Sequence, residues 1–206
     1  MNDGDVRTMQ RDVLEWYAAR GRSFPWREHR EPYATLVAEV MLQQTQTSRV
    51  IPIYRRFLEQ FPEVRSLARA ELGDVIRAWQ GLGYNRRAVN LHRAAQVIVR
   101  DHGGRVPGDV QTLRTLPGLG DYTASAVACV AFDAQVPVVD VNVHRVIARA
   151  VHGKQPRDVR PSLVRETAVD LLPRGEAYRW SQALMDLGAT LCTSGVPEHS
   201  DASSMR

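Results

Sequence analysis

The chain has 206 residues, enough to bury a core as one domain or as two small ones. With 44% hydrophobic and 24% charged residues it has an ordinary globular composition, no apolar run of membrane-spanning length, and a start, Met-Asn-Asp-Gly-Asp, without the basic and apolar regions of a secretory signal. A formal charge of +4 and a pI near 9.4 lean toward anionic partners without selecting one. The positive charge is almost all arginine, the only lysine being Lys154. Two cysteines, Cys129 and Cys192, offer no disulfide framework and suit a reducing compartment, so a cytoplasmic, membrane-free protein is expected.

Helical periodicity runs through the chain, and the fold class it implies is all-α. Residues 6–19 read as an amphipathic helix ended by Gly21, followed by an extended link, Ser23-Phe-Pro-Trp-Arg27, in which Pro25 forces the preceding residue out of helix. Helices are expected over 33–46 and 48–61, with Pro52 in the first turn of the second. One or two short helices span 66–79 and stop at Gly81-Leu-Gly83, and a longer one covers 86–102, closed by Gly103-Gly104. Residues 113–132 read as a short helix, a glycine turn, and an Ala-rich helix opening at Asp121. A brief extended run, 136–140, precedes helices over 142–151, 160–172 and 177–192. Residues 193–206 are polar, lack periodicity and are expected to be disordered.

Three places could carry chemistry. In Leu116-Pro-Gly-Leu-Gly120, Pro117 fixes one φ angle while Gly118 and Gly120 permit turns that a side chain would penalise. That turn, backed by the next helix's N-terminus, is either a phosphate clamp or an ordinary inter-helix turn. Glu39 lies among Leu36, Val37, Val40 and Met41. It is either a desolvated carboxyl whose pKa is pushed upward, as a general acid requires, or a partly exposed residue on the polar stripe. Asp140 ends an apolar run just before a helix; as its cap it would accept backbone N–H bonds, and it can also face a developing positive charge. A protonated acid and a fixed anion form the pair that cleaves a glycosidic bond.

Six segments, Phe24-Pro-Trp-Arg27, Glu39-Val-Met-Leu-Gln-Gln-Thr-Gln46, Gly81-Leu-Gly-Tyr84, Leu116-Pro-Gly-Leu-Gly120, Val139-Asp-Val-Asn-Val-His-Arg145 and Gln182-Ala-Leu-Met-Asp-Leu-Gly188, stand in one order and spacing. Together they resemble the helix-hairpin-helix base-excision DNA glycosylases, and among these the catalytic domain of the A/G-mismatch adenine glycosylases. The resemblance implies a two-lobed fold with its active site in the interlobe cleft. Its parts would be a six-helix domain over residues 25–136, a discontinuous lobe of 1–24 plus 137–192, and a disordered tail, 193–206. It implies that Glu39 protonates N7 of a flipped adenine and that Asp140 stabilises the sugar cation. Tyr122 takes a position where relatives with lyase activity carry a Schiff-base lysine, so a monofunctional enzyme is expected. Trp26, Arg27 and Gln182 would bind the base; Gln44 and Tyr84 would enter the duplex; Gly118, Gly120 and Asn142 would hold the DNA backbone. Hairpin carbonyls in such proteins often bind a monovalent cation. Double-stranded DNA bearing a mismatched or damaged base is the implied partner, with a monomer associated with a bacterial nucleoid as the expected state.

The sequence departs from the family pattern in two ways. Most relatives carry an iron–sulfur cluster on Cys-x6-Cys-x2-Cys-x5-Cys; here Cys192 fits the first position, but His199 and Ala202 occupy the second and third. One thiolate cannot hold a cubane cluster, so none is expected. The domain that reads oxidised guanine is also expected to be missing. Adenine opposite guanine or 8-oxoguanine is therefore the first expected substrate, thymine or uracil opposite guanine the alternative, and non-catalytic binding of mismatched or damaged DNA a third reading.

Overall fold

The computed structural model describes residues 2–195, and among these it is all-helical, with no strand. In chain order the helices are α1 (Asp3–Arg20), α2 (Pro25–Glu28), α3 (Pro32–Leu42), α4 (Thr47–Gln60), α5 (Val64–Arg69), α6 (Leu72–Ala78), α7 (Arg86–Asp101), α8 (Val110–Thr115), α9 (Asp121–Phe132), α10 (Val141–Ala150), α11 (Pro161–Asp170) and α12 (Ala177–Thr190). The chain divides into two compact units, Ser23–Ala134 and the segments on either side of it.

Several element bounds differ from the periodicity reading, each for a local reason. Helix α1 starts at Asp3 because Asn2 and Asp5 form a reciprocal capping box. The expected extended link contains the one-turn helix α2, with Pro25 in its first turn, where a missing N–H costs nothing. Helix α3 stops at Leu42 instead of running to 46, since Gln44 takes a left-handed backbone, φ 55°. Pro52 falls inside α4, beyond its first turn, leaving the Ser48 carbonyl without a helical donor. Of the tail expected to lack order, Thr193 and Gly195 are tied down: their carbonyls accept from the Arg149 guanidinium at 2.8 and 3.1 Å. The rest of it, including His199 and Ala202, lies outside the described residues.

In the unit Ser23–Ala134, α3 and α9 pack on each other as its central pair. Both are buried on most sides: Leu36, Val37 and Met41 from one, Ala124, Ala126, Val127 and Cys129 from the other are sealed from solvent. The alanines of α9 allow this close approach, and such all-round apolar character is what a buried helix requires. Around them, Phe57 of α4 meets Trp79 edge-on at 5.9 Å, and α7 packs against α5 and α6. The other unit gathers Val143, Ile147, Val164, Trp180 and Leu184 into one core, over which α1 lays Val6, Met9, Val13 and Leu14. There the fully buried Asp186 carboxylate on α12 receives the backbone N–H and the guanidinium of Arg22, each at 2.8 Å.

Candidate active site

The candidate residues are divided between the units. In Ser23–Ala134, Glu39 sits in the middle of α3 and is only 8% exposed, so it does not occupy a solvated polar stripe. Next to its helix's end, the Gln43 amide donates to the Thr123 hydroxyl at 3.0 Å, tying α3 to the first turn of α9, where half-buried Tyr122 sits. Trp26 is 7% exposed: it stacks on Phe24 (5.1 Å, interplanar 9°) and meets Tyr54 edge-on at 5.5 Å, while the Arg27 guanidinium lies 4.9 Å over the Phe24 ring. A planar group contacting this stack would find an apolar wall with a cationic edge.

Gln44 and Tyr84 are exposed, and both have positive φ, 55° and 48°, which is uncommon for residues with a Cβ. The hairpin turn is anchored by buried Leu116 and Leu119, with Gly118 and Gly120 facing solvent. Gly118 has φ +82°, and a Cβ there would come within 2.6 Å of the Asn90 Cβ, so the turn lies directly against α7. Gly120 is the N-cap of α9 and carries no side chain to occupy the open N–H groups of that helix. Exposed Asp121 follows, paired with Arg114 at 2.7 Å.

In the other unit, Asp140 is the N-cap of α10. Its Oδ1 accepts from the N–H groups of Asn142 (2.9 Å) and Val143 (2.7 Å), and its Oδ2 from the Asn142 side-chain amide (2.7 Å). Both oxygens are acceptors in a fixed orientation. Asn142 in turn accepts from Arg145 at 2.7 Å, so its amide bridges the cap and a guanidinium. A phosphate contact by Asn142 therefore has to share a side chain already bonded at both ends. Gln182 is buried on α12, and Lys154, the one lysine, is exposed beyond α10.

Sequence reasoning assigned no role to three contributors: Arg145, whose guanidinium also holds the Gly188 carbonyl at 2.7 Å; Gly188, which lets α12 approach Asn142; and Arg87. A glycine inside an otherwise good helix was the available signal for the second. Arg145 stood at the end of a motif, and Arg87 gave no signal, being one arginine among many.

No group of three or more His, Cys, Asp or Glu side chains among the described residues is arranged to hold a metal. The Cys192 sulfur lies 3.6 Å from the Arg149 guanidinium and its carbonyl accepts from Arg145; the other cysteine, Cys129, is buried on α9. No helix among the described residues is long and apolar enough to cross a membrane.

Residues 37–173 match the family described as HhH-GPD superfamily base excision DNA repair protein. An adenine DNA glycosylase of Mycobacterium tuberculosis is 50% identical over 190 residues, which are 90% of this chain and 62% of that protein. One of Rattus norvegicus is 39% identical over 204 residues, 94% of this chain and 40% of that one. The chain thus spans less than two thirds of the curated relatives' length. The solved structure of a thermostable thymine-DNA glycosylase has a TM-score of 0.88 at 30% identity, covering 95% of this chain and 91% of that one. An endonuclease III structure, solved as a DNA complex, shares the fold with a TM-score of 0.82 at 22% identity.

Proposed function

We propose, from the premise that the chain belongs to the HhH-GPD superfamily of base excision DNA repair proteins, that it is a monofunctional glycosylase removing adenine mispaired with guanine or 8-oxoguanine. The observation that carries the proposal is a pair of carboxyl groups in opposite surroundings. Glu39 is buried within an apolar helix, and Asp140 has both oxygens engaged by three donors. In this reading the substrate base is extruded from the duplex. Glu39 gives its proton to adenine N7, the bond between C1′ and N9 breaks, and the bonding pair leaves with the protonated base. The Asp140 carboxylate offsets positive charge on the sugar until water adds at C1′ and loses a proton. Trp26, Arg27 and Gln182 are the proposed contacts to the base; Gly118, Gly120 and Asn142 are the proposed contacts to the backbone, with a monovalent cation on the hairpin carbonyls. Tyr122 offers no amine, so the abasic product is left uncut. The reaction runs without a cluster, by a monomer acting on double-stranded DNA.

Similarity to a thymine-DNA glycosylase favours a second reading, excision of thymine or uracil opposite guanine. One experiment decides among the readings. Duplexes with A:G, A:8-oxoguanine, T:G and U:G pairs are incubated with the protein, then treated with alkali. Breaks in the adenine strand that need alkali are expected, and Glu39→Gln should lower their rate by about 10²-fold or more while retaining duplex binding. Breaks in the thymine or uracil strand would replace the first reading with the second; binding without breaks on any duplex would reject both.

A further inference from the structure

We propose that Arg87 is the positioning residue for base extrusion, holding Gln44 and Tyr84 in the conformations with which they enter the duplex; this rests on the glycosylase reading. Its guanidinium is gripped from two sides. Nη1 donates to the carbonyls of Val40 (3.2 Å), Met41 (2.9 Å) and Gln43, and Nη2 to the Thr45 hydroxyl (2.9 Å) and the carbonyls of Leu82 and Gly83 (3.2 Å each). The first group is the open C-terminal end of α3, the helix of Glu39, together with the turn after it; the second links that turn to the one preceding α7. Gln44 lies between two of these partners, Gln43 and Thr45. Tyr84 directly follows another two, Leu82 and Gly83.

Neither residue is held by its own packing. Gln44 is exposed, Tyr84 is 68% exposed, and both have left-handed backbones. An exposed residue with a Cβ keeps such a conformation only where its surroundings over-determine it. Here the surroundings are one planar fork that remains charged at all working pH values and cannot be imitated by a point charge. The guanidinium also lies 5.6 Å from the ring centroids of both Trp79 and Tyr84, and the Trp79 indole N–H donates to the Gly83 carbonyl at 3.3 Å. The two turns are therefore ordered before DNA arrives, which removes an ordering cost from the step that separates the base from its neighbours.

The test uses the full chain with Arg87→Met and Arg87→Lys. Hydrogen exchange in the free protein reads the clamp without any substrate. The Thr45, Leu82 and Arg87 amides, bonded to Leu42, Trp79 and Tyr84 carbonyls, should exchange faster in Arg87→Met, with the α5 and α12 amides unchanged and Arg87→Lys intermediate. A duplex with 2-aminopurine opposite guanine reads extrusion through its fluorescence rise, which should be slowed in the same order. Single-turnover excision should fall by about tenfold or more on A:G, but by less than about threefold when adenine faces an abasic analogue, where little unpairing remains. Unchanged exchange in both turns, or faster exchange with unchanged extrusion, would overturn the proposal. So would equal losses on the two duplexes. Should Arg87→Met fail to fold, Arg87→Lys decides by the same measurements. If the unaltered protein neither excises adenine nor extrudes 2-aminopurine, the glycosylase reading fails and takes the extrusion role with it, while the exchange data still report the clamp.

Discussion

Tyr54 shows how its surroundings set the behaviour of a single side chain near Trp26. Its phenol is 4% exposed, edge-on to that indole, and its pKa is pushed up to about 12, chiefly because burial penalises the phenolate and secondarily because of the Glu31 charge. Tyr33 shifts in the same direction for the same leading cause, with its hydroxyl donating to the Phe61 carbonyl at 2.9 Å. A pKa raised on folding stabilises the native state by an amount fully present below the unfolded value near 10 and lost as pH rises through the folded value. Stability measured by urea titration should thus decline between about pH 10 and 12, and tyrosinate absorbance should show a late fraction. Tyr54→Phe should shrink both effects; simultaneous ionisation of every tyrosine near pH 10 in the folded protein would count against this. At this scale the sequence named the residues without their neighbours. Phe24-Pro-Trp-Arg27 was legible as a motif, yet the partner that completes its aromatic wall comes from α4, and no spacing rule links the two.

Among elements, the crossing of α10 and α12 depends on one missing methyl group. A Cβ at Gly188 would lie 2.5 Å from the Asn142 Cβ and 2.9 Å from its backbone. Alanine in a helix interior normally gains about 1 kcal/mol over glycine. Here overpacking of about 1–3 kcal/mol should outweigh that gain. Gly188→Ala is expected to lower stability by about 1 kcal/mol net in chemical denaturation, and to slow excision more than it weakens DNA binding, because Asn142 carries the amide bonded to Asp140. A more stable variant with full activity would refute the packing argument. Periodicity located nearly every helix because apolar stripes are a local property. It misplaced the end of α3 because that end is set by a guanidinium more than forty residues downstream, and it missed the start of α1 because a capping box involves no apolar residue.

For the molecule as a whole, the order of six motifs revealed the family, since each motif brings its own spacing constraint and their combination is far more restrictive than any one. The pairing of Arg22 with Asp186 was not legible, although Asp186 stood in a quoted motif; nothing in a helix periodicity distinguishes a buried carboxylate awaiting a distant cation. Asp186 is fully buried and its partner's side chain is 34% exposed. Removing the guanidinium takes the opposite charge away from a buried carboxylate, at a cost of about 3 kcal/mol, the low end of the usual range because solvent reaches the guanidinium. Arg22→Met should show that loss in urea titration, and a loss below about 0.5 kcal/mol would mean the pair behaves as a surface contact.

The guanidinium of Arg145 reaches past the last helix to the Cys192 carbonyl, and that of Arg149 to Thr193 and Gly195. Trimming the gene at the end of α12, the obvious place for a crystallographer to cut, would strip both arginines of these acceptors. Because Arg145 also touches the amide that orients Asp140, such a shortened product could look well folded and yet have its proposed anion poorly aimed. The safe boundary lies beyond residue 195, several residues later than helix content alone would suggest.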